Sequence, residues 1–205
     1  MLSYAIVALT VAAGSVLGAP LEARYSYSNS TSPGHSTPTP DPTPSGYFQP
    51  SSVSTYDVSN GAIQCEVSYG LVDKATDNKG RDFTTLMTFT YPEGVTGKQC
   101  LFEFFLDEGA SLYGSKKVDL YTSLAPAPGC TSGWAPGNQR NVNLGRMSVQ
   151  RGGLATWDAT YSAYLTKRTP CKAPGTVEAF ELVGVYDNDH VSWNVAVAGA
   201  RISYI

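Results

Sequence analysis

Apolar residues recur at every second position, in run after run, from residue 63 to the C-terminus, and this alternation is what most constrains the fold. It is clearest in residues 176–205, which read as two long strands joined by the turn Tyr186-Asp187-Asn188-Asp189-His190. Phe180 and Leu182 share a face in the first strand, and Val191, Trp193, Val195 and Val197 share one in the second, the period-two signature of half-buried strands. Upstream, Ile63, Cys65, Val67, Tyr69 and Leu71 form one such set, and Phe83, Thr85, Met87, Phe89 and Tyr91 another. Cys100, Phe102, Phe104 and Leu106 follow, then Val118, Leu120, Thr122 and Leu124.

Turn clusters such as Asp77-Asn78-Lys79-Gly80, Pro92-Glu93-Gly94 and Gly109-Ala110-Ser111 separate these runs. Two more strands are expected over residues 141–149 and 154–164. The alternation slips at Gly145 and again near Ala198-Gly199, where a β-bulge at each glycine would restore the register. About eight strands and no amphipathic helix predict an all-β domain, an antiparallel β-sandwich of jelly-roll type, with a closed barrel as the competing architecture.

Ahead of this domain the composition changes twice. Residues 1–18 hold an apolar run from Tyr4 to Ala13 followed by small residues, of the length of a signal h-region and too short to span a bilayer. They are read as a secretory signal peptide, so the mature chain is expected to have no transmembrane segment. Residues 19–46 are rich in Ser, Thr and Pro, with little to bury, and read as a disordered linker ahead of a domain spanning residues 47–205. Asn29-Ser30-Thr31 is an N-glycosylation sequon, and His35 in the same stretch reads as solvated.

The four cysteines, Cys65, Cys100, Cys130 and Cys171, lack zinc-site spacing, and in a chain with a leader they imply two disulfides. Strand parity favours Cys65 with Cys100, which leaves Cys130 with Cys171. An extracellular or cell-wall location follows from the same two features.

Chemistry is thin. A net charge of −3 with no basic patch argues against nucleic acid. His190 reads as a turn residue opening a strand, and no G-x-S-x-G elbow is present. Glu66, Glu103, Asp119, Glu178 and Glu181 fall on strands without a pairing that would suggest glycoside hydrolysis, so a secreted hydrolase is the weakest reading. The Asp187-Asn188-Asp189 triplet and the group Asp73, Asp77, Asn78 and Asp82 have the oxygens for calcium, but they are also what tight turns demand. The turn reading is preferred, and no cofactor or metal is expected.

Trp134, in Gly133-Trp134-Ala135-Pro136-Gly137 just after Cys130, is the residue most suggestive of recognition, since an aromatic on a stapled loop can stack on a sugar face. The preferred reading is nevertheless that it folds back to cover one end of the sandwich.

The runs Phe180-Glu181-Leu182, residues 187–193 and Gly199-Ala200-Arg201-Ile202, with residues 100–104 and 118–121 upstream, resemble the fungal "ubiquitin 3 binding protein But-two" C-terminal domain. The resemblance covers residues 47–204 and implies a fungal source, a β-sandwich, and secretion behind a Ser/Thr/Pro-rich segment. It brings no catalytic or ligand-binding residues. The family takes its name from a member credited with binding the activating enzyme of a ubiquitin-like modifier, which implies an intracellular adaptor as the second function. The first expectation is a non-enzymatic secreted or cell-wall-associated protein whose partner is a cell-wall glycan or another extracellular component.

Overall fold

The computed structural model describes residues 42–135 and 139–205. The signal peptide, most of the linker, Asn29 and His35 lie outside the described residues. Within them the chain is all-β. The strands are β1 (Gly46–Phe48), β2 (Ser52–Asp57), β3 (Ile63–Gln64), β4 (Tyr69–Ala75), β5 (Phe83–Thr90), β6 (Gln99–Leu106), β7 (Ser111–Gly114) and β8 (Lys117–Ser123). They continue as β9 (Arg140–Ser148), β10 (Gly153–Leu154), β11 (Thr156–Thr160), β12 (Thr169–Pro170), β13 (Val177–Gly184), β14 (Asn188–Asn194) and β15 (Gly199–Tyr204). Ten of these strands have five or more residues, against about eight expected, and the six-residue β2 is one the alternation did not reveal. The other five are pieces of two to four residues, too short to carry an alternation.

All pairings are antiparallel. A small sheet runs β1-β15-β6-β10, with β12 also on β6, and a large one runs β11-β9-β8-β13-β5-β4-β14-β7, with β2 and β3 also reached through β5. The large sheet ends on different strands at its two sides, so it does not close on itself and the sandwich holds over the barrel. Among the described residues no helix is long and apolar enough to cross a membrane.

The alternation is physically meaningful because each sheet has one inner face. In β6, Cys100, Phe102, Phe104 and Leu106 are all buried while their neighbours are half-exposed. Across from them Phe89 and Phe180 meet Phe102 at ring separations of 6.3 and 5.9 Å, and Trp193 meets Phe104 edge-on at 5.0 Å. Each such aromatic, fully buried, stabilises the fold by about 1.5–3 kcal/mol. Gly70 makes room for Trp193, whose indole would lie 2.1 Å from a Cβ at that position.

β4 diverges from β5 after a single pairing, Asp73 with Phe83. At the split the Thr85 hydroxyl takes over from the ladder, accepting from the Leu71 N–H at 3.0 Å and donating to the Leu71 carbonyl at 2.7 Å. Thr85 is fully buried. Thr85→Val keeps the shape but leaves two backbone groups unpaired, and a loss of about 1–3 kcal/mol in chemical denaturation is expected. A change below a few tenths would show that water replaces the hydroxyl.

One detail agrees with the expectations and two differ. The bulge at Gly145 is present, as the β8 register passes from Gly145 to Asn143 between Leu120 and Tyr121. Near Gly199 there is instead a turn that moves the chain from the large sheet to the small one. Asn194 organises it, its carbonyl accepting from the Val197 and Ala198 N–H groups and its Oδ1 from Ala196 N–H. Val195 and Val197 therefore belong to the turn, and Val197 is exposed. The two C-terminal strands, β13 and β14, are not hairpin partners: β13 lies between β5 and β8, and β14 between β4 and β7.

The cysteine connectivity also differs. Cys65 pairs with Cys130 and Cys100 with Cys171, at Cα separations of 4.8 and 4.9 Å. Cys65 shares parity with Ile63 but sits between β3 and β4, followed by Glu66 at φ 52°, so it has left the strand. Cys100 faces inward from the other sheet. Its partner arrives with β12, where Thr169 lies opposite Cys100.

Candidate functional site

The outer face of β2 and β5 is covered as well. Tyr56, Ile63 and Leu86 form a second, smaller core there, with Val58, Ala127 and Ala135 packed against it. Its cover is the loop between β8 and β9, which three contacts hold in place. The Cys65–Cys130 disulfide anchors it, and Ile63 and Thr131 exchange both backbone hydrogen bonds at 3.0 and 3.1 Å. The third contact is a close approach at Gly61, whose φ is 73° and where a Cβ would lie 2.6 Å from the backbone of Trp134.

Held this way, Trp134 does not fold over the core. Its side of the loop is open and the residue is 71% exposed, touching the rim of Tyr56 edge-on at 5.9 Å. Beside this cluster lies an ion pair whose carboxylate is buried. Glu181, 1% exposed, accepts two hydrogen bonds from Arg140 at 2.7 and 2.8 Å and one from Thr84 Oγ1 at 2.6 Å. Burial works against the Arg140 charge, but the Glu181 carboxylate outweighs it and holds the guanidinium above its ordinary range. The same guanidinium lies over the Tyr121 ring at 5.6 Å.

Next to the loop a chain of cavities opens. One of about 370 Å³ is lined by Thr55, Asp57, Ala62, Gln64, Phe83 and Thr131, so its rim adjoins Gly61, on which Trp134 rests. A cavity of about 600 Å³ shares Thr55, Gln64 and Phe83 with it and continues to Glu66, Tyr69, Leu71 and Ser192. A third, about 290 Å³, shares Tyr69 and Ser192 and reaches Asp107, Ser111 and Asn194. Shared walls make these one groove, with an aromatic at several points and hydroxyl or amide groups between. That is the composition of a site that stacks on flat ligand faces and hydrogen-bonds their edges.

The acidic turns meet in space. Asp73, Thr76, Asp77, Asp187 and Asn188, with Tyr113, line a separate cavity of about 500 Å³, because β4 and β14 pair with Asn188 opposite Ala75. Asp189 is not part of it. Fully buried, it accepts from the Val185 and Tyr186 N–H groups at 2.9 and 3.0 Å and from the Ser115 hydroxyl, so its carboxylate shapes the turn. Among the described residues no three His, Cys, Asp or Glu side chains converge as a metal site. His190 lies within β14 rather than in the turn, stacked on Tyr113 with centroids 4.4 Å apart and with Nδ1 3.4 Å from Asp73.

The strand carboxylates are individually engaged. Glu103 pairs with Arg201, Asp119 with Arg146, and Glu178 accepts from the Tyr91 and Tyr164 hydroxyls. Glu66 alone of that set points to solvent, and it lies in the groove. Sequence periodicity could not show this groove, since its walls come from six strands that are far apart in the sequence. The run read as one apolar strand face from Ile63 to Leu71 is split between β3 and β4, and in β4 it is Gly70 and Val72 that are buried while Tyr69 and Leu71 line the groove. No protein-family model matches the chain, and no curated protein matches it.

Proposed function

We propose that this chain is a non-enzymatic, secreted or cell-wall-associated β-sandwich whose groove binds glycan. The observation that carries the reading is Trp134, a large indole left in solvent on a loop fixed by a disulfide, a two-bond bridge and a glycine contact. Holding the loop rigid lowers the entropy cost of stacking a sugar on the indole. Two disulfides are compatible with an extracellular setting. The resemblance to the But-two C-terminal domain belongs to this reading, because it too implies a β-sandwich behind a Ser/Thr/Pro-rich segment.

Trp134→Ala separates recognition from packing. With most of the side chain already in water, the variant is expected to melt within a degree or two of the parent while its retention on insoluble cell-wall polysaccharide drops by about tenfold. Unchanged retention with a clearly lowered melting temperature would make Trp134 structural.

A further inference from the structure

Beyond the loop, the outward faces of β4, β14 and β7 form a continuous strip. Tyr69, Leu71, Asp73 and Ala75 alternate outward on β4, opposite Asn194, Ser192, His190 and Asn188 of β14, and Ser111 and Tyr113 of β7 lie opposite Ser192 and His190. Six residue steps from Tyr69 to Ala75 make the strip about 20 Å long, enough for an oligomer rather than a single sugar unit. The cavity at one end holds Glu66 and the cavity at the other holds Asp77 and Asp187, with Asp73 between. Asp73 faces His190; Glu66, Asp77 and Asp187 make no ion pair among the described residues. No Lys or Arg lines either of these cavities or the two others that complete the groove.

The strip also carries aromatic rings. Tyr69 is 61% exposed and Tyr113 51%, the latter held flat by the parallel His190 ring, with an interplanar angle of 4°. Around them Ser68, Ser111, Thr76, Ser192 and Asn188 supply both donors and acceptors. Exposed flat rings suit the C–H faces of pyranoses, hydroxyl and amide groups suit their edges, and unpaired carboxylates disfavour uronates and phosphates while favouring amines.

We propose that this strip selects a cationic amino-sugar polymer, a glucosamine chain bearing free amines, over neutral and anionic glycans. The inference rests on the glycan-binding reading and names its ligand class. The rings set the chain's register, and Glu66, Asp77 and Asp187 meet its ammonium groups. A basic peptide would also be drawn to the charge, but it has no use for the rings and hydroxyls.

The test uses the folded, disulfide-intact protein with a soluble glucosamine oligomer, its fully N-acetylated counterpart of equal length, and a lysine peptide of equal charge, at mildly acidic pH where amines are protonated and carboxylates ionised. The glucosamine oligomer should bind about tenfold more tightly than the acetylated one, the effect of two or three exposed ion pairs, and the advantage should shrink as salt rises. Asp77→Asn/Asp187→Asn should remove most of the advantage without changing the melting temperature, and Tyr113→Ala should weaken binding of the amino-sugar oligomer. Equal binding of the two oligomers, with retention on neutral polysaccharide still dependent on Trp134, would overturn this inference and leave the proposed function standing. Binding of no glycan at all would overturn both. A lysine peptide bound as tightly as the amino sugar, with Tyr113→Ala indifferent, would make the strip a site for basic peptides and overturn the amino-sugar assignment.

Discussion

Arg140→Ala should lower the stability of the domain by about 2–4 kcal/mol, read from the denaturant midpoint. Its partner Glu181 is almost wholly buried and is matched by two guanidinium hydrogen bonds and one from Thr84. Removing the arginine strands a carboxylate that one hydroxyl cannot satisfy. The expected cost lies below the full penalty for breaking a buried pair because the Arg140 side chain is 36% exposed, so water can reach the vacated space. Replacing both charges by apolar residues, Arg140→Met with Glu181→Leu, should recover most of the loss, since no charge is then left unpaired. A double variant as unstable as the single one would mean that the contact of the guanidinium with the Tyr121 ring, and not the stranded Glu181 carboxylate, sets the cost.

Glu181 also shows why the fold was more legible than the site. A strand's period gives which residues share a face, and Phe180 and Leu182 duly fill the core. The same period placed Glu181 on the solvent face, where an ordinary exposed carboxylate was expected. Whether an outward face stays in water depends on what later segments lay over it. Here a loop some forty residues upstream of β13 does so, and no local pattern encodes that. Parity misled the cysteine pairing for a related reason: Cys65 and Cys100 both look inward from their own runs, but one has left its strand and the other belongs to the opposite sheet. At Asp189 the turn chemistry was readable, because an aspartate that bonds nearby backbone N–H groups acts locally. The meeting of Asp73 and Asp77 with Asp187 was not, because it depends on the register of β4 against β14.

The two disulfides should part company under reduction, although their closed loops are nearly equal. Separations of 65 and 71 residues give the same chain-entropy contribution, about 4 kcal/mol each. Any difference between them must therefore arise in the folded state. Cys100 is fully buried in the main core and Cys171 is packed against it, whereas Cys65 is half-buried and Cys130 exposed. A thiolate in solution can reach the second bridge without unfolding the protein, so mild reductant should open Cys65–Cys130 first and leave Cys100–Cys171 intact. Cys65→Ser/Cys130→Ser should then cost about 4 kcal/mol at most and release the loop that presents Trp134, so polysaccharide retention falls even where the domain remains folded. Cys100→Ala/Cys171→Ala removes sulfur from a packed interior and adds a cavity cost of about 1–2 kcal/mol to the same entropic loss, giving the larger drop in stability with retention preserved wherever the fold survives. Alkylation of partially reduced protein followed by peptide mapping checks the order of opening. Recovery of labelled Cys100 and Cys171 ahead of Cys65 and Cys130 would show that the main core opens more readily than its burial implies, and the assignment of the loop as the exposed, separable element would fall with it.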